Sequence, residues 1–208
     1  MNKLNVFFTC AFLVAVVQFG SAQTIVGSAH DFSGQSWNTT TEICIVCHTP
    51  HNADISVADA PLWNHSLSAV ATYTLYASGT MNSVPGQPDG SSKLCLSCHD
   101  GTVALENFGG VTSGTNFMSG DALIGTSLSN DHPISIDYDA ALALADGGLH
   151  NPATTSSGLG GTIAEDMLIS GKMQCSSCHD VHNSAVGTSS LLLKSNAASA
   201  LCLTCHDK

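Results

Sequence analysis

The sequence predicts a mostly irregular fold, with short α-helices set in long loops and bound prosthetic groups in place of a large side-chain core. Three observations predict it. The pattern Cys-x-x-Cys-His occurs four times, at Cys44/Cys47/His48, Cys95/Cys98/His99, Cys175/Cys178/His179 and Cys202/Cys205/His206. Of the nine Cys, only Cys10 lies outside these motifs. The segments between them are rich in Gly, Ser and Thr, and few show the apolar periodicity of a long helix or strand.

Cys-x-x-Cys-His is the attachment pattern of a c-type haem. The two thiols bond to the porphyrin vinyl groups, and the adjacent His supplies one axial nitrogen to the iron. Paired thiols also suit disulfides in exported chains or zinc. Neither use requires a His directly after the second Cys, yet it follows in all four motifs. Four motifs therefore imply four haem c groups.

The first 22 residues read as an export signal: Lys3, an apolar run over 4–17, then Gly20-Ser21-Ala22 before Gln23. That run is shorter than the roughly 20 residues of a membrane span, so no stable span is expected. The rest, 23–208, is expected to be exported, to the extracellular space or cell surface, with the periplasm as the alternative. It holds 16 Asp and Glu against Lys93, Lys172, Lys194 and Lys208, and no Arg. This acidity argues against nucleic acid and anionic membranes as partners. The 186 residues left after removing 22 from 208 give about 46 per motif. A domain of this size is normally held by side chains. Here the porphyrins are expected to form much of the core, packed by Ile43, Ile45, Val46, Leu94, Leu96, Leu201 and Leu203.

The motifs alternate in type. The first and third carry a second His three residues on, at His51 and His182; the second and fourth read Leu-Cys-Leu-Ser/Thr-Cys-His-Asp. The alternation indicates two related dihaem halves, about 23–115 and 116–208. Residues 69–78 suit either a short strand or a helical turn. Pro85 to Gly90 is turn chemistry, after which Ser91-Ser92 is expected to cap a helix carrying the second motif. Residues 107–130 read as loop. Helices are expected over 138–145, ended by Gly147-Gly148, and over 164–169, with Ser195 or Asn196 capping the last motif.

Each haem iron has two axial positions, and His48, His99, His179 and His206 fill one apiece. Six His remain. Each half offers a lone upstream His (His30, His132) and an extended one (His51, His182), which makes four second ligands; His65 and His150 are left over. Three residues past His48 the chain cannot have rounded the porphyrin, so His51 serves a different haem from His48, and His182 a different one from His179. Neighbouring haems then lie within a side chain's reach, as electron hopping requires. A bis-histidine iron has no open position, so conduction is expected and an enzyme is not. The imidazole N–H groups need acceptors, either backbone carbonyls or Asp100, Asp180 and Asp207. His206 is expected to pair with His182 or with a His from across an interface.

Several stretches resemble the multihaem cytochromes c of metal-reducing bacteria, and among them the OmcE-type tetrahaem outer-surface cytochromes. They are His30-Asp31, Cys44 to Asn52, Pro61-Leu62-Trp63-Asn64, Lys93 to Thr102, Asp131-His132-Pro133 and Cys175 to His182. The resemblance implies subunits that polymerise into extracellular conductive filaments and exchange electrons with other redox cytochromes. It also implies that one haem of each subunit takes an axial His from its neighbour. By analogy His30, near the N-terminus, is the first choice of donor and His51 the second. The competing expectations are a monomeric periplasmic or surface electron carrier, and a multihaem oxyanion reductase, which needs an open or lysine-ligated haem.

Overall fold

The computed structural model describes residues 25–183 and 190–207, so the expected export signal lies outside the described residues. Most of the described chain is loop and turn. The longest helix among the described residues, α1, is Gly90–His99 and carries the second motif. Three shorter ones follow: α2 at Ala140–Asp146, α3 at Ile163–Asp166 and α4 at Cys202–Cys205, which carries the fourth motif. A two-residue strand β1, Ile136–Asp137, pairs antiparallel with β2, Lys172–Met173. The third motif lies on a 3-10 turn, Cys175–Ser177.

Local chemistry explains where these elements start and stop. The residue preceding α2, Asp139, accepts from the Leu142 N–H at 2.8 Å, and Gly147, at φ 70°, closes the helix in the left-handed conformation that a side chain disfavours. The helix expected over 138–145 therefore begins two residues late, because the Tyr138 side chain is buried and donates to the His150 carbonyl at 2.6 Å. Helix α3 opens on a reciprocal box between Thr162 and Glu165. It stops at Asp166, short of the expected 169, because Ile169 and Lys172 exchange backbone hydrogen bonds that turn the chain into β2.

Ser91 and Ser92 do not cap α1. Both lie inside its first turn, and Asp89 occupies the position before it. Their hydroxyls point instead at the third motif, where Ser91 Oγ meets Ser176 Oγ at 2.6 Å and Ser92 Oγ donates to Gln174 Oε1 at 2.5 Å. Residues 69–78 form neither element: Thr74 makes a lone parallel bridge to Ser127, and the Tyr73 N–H donates to Gln87 Oε1.

The described side-chain core is divided. The largest cluster gathers Ile136, Tyr138, Ala143, Ile163, Met167, Leu168, Met173, Leu201 and Cys205. Two small clusters stand apart, Val57/Trp63/Leu94 and Tyr73/Leu96/Leu128. Leu94, Leu96 and Leu201 are thus already buried against protein, whereas Leu203 is 43% exposed, so the expected apolar packing set is only partly available to a porphyrin. Met167, 1% exposed, sits in the largest cluster. Met167→Ala is expected to cost ~2–5 kcal/mol, read as a lowered thermal or denaturant midpoint.

The candidate haem-binding motifs

Each motif is one helical turn. The His N–H donates to the carbonyl of the first Cys at 2.8 Å for His48, 3.1 Å for His179 and 3.0 Å for His206; His99 ends α1, where the same turn is part of the helix. On such a turn positions i, i+3 and i+4 share a face. Both thiols and the imidazole therefore point to one side, as bonding a porphyrin edge and its iron together demands.

A short strap crosses three of the motifs in the same way. The N–H after the motif His donates to a strap carbonyl, and the strap N–H two residues on donates back to the carbonyl of the second Cys. The pairs are Thr49 to Leu62 and Asn64 to Cys47; Asp180 to Leu191 and Leu193 to Cys178; Asp207 to Gly148 and His150 to Cys205. Sequence reasoning missed this unit, because backbone carries it and the strap sequences share no side-chain pattern. It accounts for the Leu62-Trp63-Asn64 stretch. It also places His150 at a strap end, equivalent to Asn64 and Leu193.

The strap also orients the imidazoles. Nδ1 of His48 lies 2.5 Å from the Pro61 carbonyl and Nδ1 of His179 lies 2.8 Å from that of Ser190; His99 uses Ala122 at 2.7 Å. With Nδ1–H donating to a carbonyl, Nε2 keeps its lone pair for a metal. The acceptors are therefore carbonyls and not the following Asp residues, since neighbours i and i+1 point to different sides of a turn. The Asp100 carboxylate instead accepts from Tyr73 Oη at 2.6 Å and from Thr102, while Asp180 accepts from the His182 N–H at 2.9 Å.

Three His pairs face each other. Ring centroids stand 6.0 Å apart for His30 and His99, 6.1 Å for His48 and His182 with planes 19° apart, and 6.3 Å for His132 and His206. Two imidazoles on one metal, with bonds of about 2 Å and about 1.1 Å more to each ring centre, stand about 6 Å apart. The gaps thus fit one iron each. Two expectations change. His206 faces His132 and not His182, which stacks on His48. His30, the first choice of donated ligand, faces His99 of its own chain. Among the described residues no ring faces His51 or His179, and both side chains are exposed.

Burial pushes His30 down to about 4, helped by the charges of His99, His179 and His182. It therefore stays neutral, the ligating form, well into acid. Burial raises Cys47 and Cys205 to about 11 and Cys98 to about 12, which keeps them as thiols. The Cys95 thiol donates to Cys175, holding Cys175 down at about 7 and itself well above the ordinary range.

His65 is 2% exposed, with Nδ1 2.9 Å from the Ser66 carbonyl and Nε2 3.1 Å from that of Ala104. Burial lowers its pKa, so the ring is neutral and its single N–H serves one of these carbonyls, while both nitrogens stay turned to backbone inside the protein. His65→Ala is expected to cost ~1–3 kcal/mol by stripping a buried carbonyl of its donor, with haem absorption spectra unchanged.

Among the described residues no three His, Cys, Asp or Glu converge to hold a bare metal ion. The donor set instead suits a group that brings its own equatorial ligands. Among the described residues no helix is long and apolar enough to cross a membrane. No curated protein matches the chain. Residues 169–208, spanning the third and fourth motifs, match the family described as the doubled CXXCH motif, which indicates covalently bound haem c.

Proposed function

We propose that this chain, marked by its doubled motif as a multihaem c-type cytochrome serving haem-based electron transfer, carries four haems and forms the repeating subunit of an extracellular filament. Each haem supplies a one-electron iron centre. The first would be held by His48 and His182, the second by His99 and His30, and the fourth by His206 and His132. His179 would hold the third, and its second axial ligand would be His51 of a neighbouring subunit. With both axial positions of every iron filled, the chain conducts and does not catalyse. Its partners are identical subunits along the wire and other redox cytochromes at its ends.

One observation carries this reading: the ligand set divides into three facing pairs and two rings, His51 and His179, that no other ring faces among the described residues. Each comes from one of the two extended motifs, and the other members of those motifs, His48 and His182, already stack on each other. A second His51–His179 pair between copies would link every subunit to the next. Both rings are exposed, and Ile55 and Leu62 beside His51 are 86% and 56% exposed, apolar surface suited to a contact.

Intact mass, absorption spectra and negative-stain microscopy of the exported protein test the reading. Four attached haems, low-spin spectra without binding of added ligand, and filaments are expected. Discrete particles at all concentrations would leave a monomeric carrier, and a haem that binds a small oxyanion would favour the reductase.

A further inference from the structure

We infer that Gln174 is a positioning residue for electron exchange between the haems of the second and third motifs. The inference rests on haem attachment at those two motifs. Gln174 immediately precedes Cys175 and is 3% exposed. Its Oε1 accepts from Ser92 Oγ at 2.5 Å and from Ser135 Oγ at 3.2 Å, and its Nε2 donates to Asp89 Oδ1 at 2.6 Å. Ser92, fully buried, also accepts from the Cys175 N–H at 3.0 Å. Asp89 in turn pairs with Lys172 Nζ at 2.6 Å. The first turn of α1 is thus sewn to the 3-10 turn of the third motif by one buried polar seam centred on Gln174.

The seam does more than close the interior. Ser91 and Ser92 stand four and three residues before Cys95, so all three share the face of α1 that meets the third motif. The hydrogen bond that fixes Ser92 against Cys175 therefore also holds Cys95, one turn on, beside Cys175. Once both are thioethers, these two sulfurs belong to different porphyrins and carry no S–H, so what the seam holds between them is a short through-space step from one porphyrin to the other. An apolar seam would tolerate sliding. A buried polar seam does not, because each displaced donor or acceptor is left unpaired. The rate of electron transfer falls exponentially with separation, so a seam that sets register also sets the rate.

The test uses haem-loaded Gln174→Leu, similar in size but unable to hydrogen-bond, with Ser157→Ala as control. Ser157 is also fully buried and hydrogen-bonded, to the Gly161 carbonyl and to Asp166, but lies outside the motifs. Peptide mass spectrometry first verifies haem on Cys95/Cys98 and Cys175/Cys178; bare peptides there would overturn the haem reading and not the role of Gln174. In Gln174→Leu the split Soret circular dichroism of the coupled haem pair is expected to weaken, and electron equilibration between haems after photoreduction to slow relative to the wild type and to Ser157→Ala. Ser157→Ala is expected to lose stability with both signals intact. Ser135→Ala removes the bonds to Gln174 Oε1 and from the Asp89 N–H but leaves Gln174 bonded to Ser92 and Asp89, and is expected to show a smaller change of the same sign, which serves if Gln174→Leu does not accumulate. Wild-type coupling and rate in either seam variant would overturn the assignment.

Discussion

His51→Ala is expected to stop filament growth and to leave every haem attached. The side chain is exposed and no ring faces it among the described residues, so its removal costs the fold little, within about 0.5 kcal/mol as for ordinary surface positions. The loss falls on the neighbouring subunit, where the haem on His179 would be left five-coordinate. Two signals are expected together: one haem per chain turns high-spin, and negative-stain fields show only discrete particles. Added imidazole is expected to restore the low-spin spectrum without restoring filaments, because a free ligand fills the iron but links nothing. Filaments of ordinary length from His51→Ala would remove His51 from the joint. Ile55 is a milder site in the same exposed loop; its substitution by a polar residue is expected to weaken assembly without changing any spectrum.

His182→Ala acts inside the chain. The ring stacks on His48 at 6.1 Å with planes 19° apart, and Asp180 Oδ1 lies 3.6 Å from its Nδ1. On the proposed ligation its loss would open the haem of the first motif and cut a link that runs through three residues to His179. The expected result is one high-spin haem per chain that binds carbon monoxide or cyanide, a raised reduction potential at that haem, and slower conduction along the chain. His150→Ala is the contrast, because the strap uses only the backbone of His150; all haems are expected to stay low-spin. Ligand titration with counted stoichiometry separates the two, and a His182→Ala protein that binds no added ligand would show that another residue fills the site.

Much of this arrangement is local and so can be read from the sequence. Cys-x-x-Cys-His is complete within five residues, and the loop-dominated fold follows from the Gly, Ser and Thr between the motifs. The A–B alternation separates His30, His51, His132 and His182 from His65 and His150 without any three-dimensional information. Which ring faces which is not local. His48 and His182 meet across 134 positions, and contacts distant in sequence, such as Ser170 with Asp59 and the packing of α1 on the third motif, bring those parts of the chain together. The same packing turned Ser91 and Ser92 from expected caps into seam residues, since a hydroxyl at a helix start serves equally well as a cap or as a tertiary contact. The straps were invisible for a further reason: their information lies in backbone N–H and C=O groups that every residue carries. They also cut across the alternation, because the second and fourth motifs share a sequence form, yet only the fourth has the shared strap.

The most direct test of the central claim is a cryo-microscopy map of the exported protein in which the axial density of each haem can be traced to its residue. The account predicts continuous filaments in which the haem on His179 receives its second imidazole from His51 of the adjacent subunit, while His48–His182, His99–His30 and His206–His132 each close within one chain. A map in which His51 and His179 ligate the same haem within a single chain, or in which the haem on His179 has an open face, would contradict it.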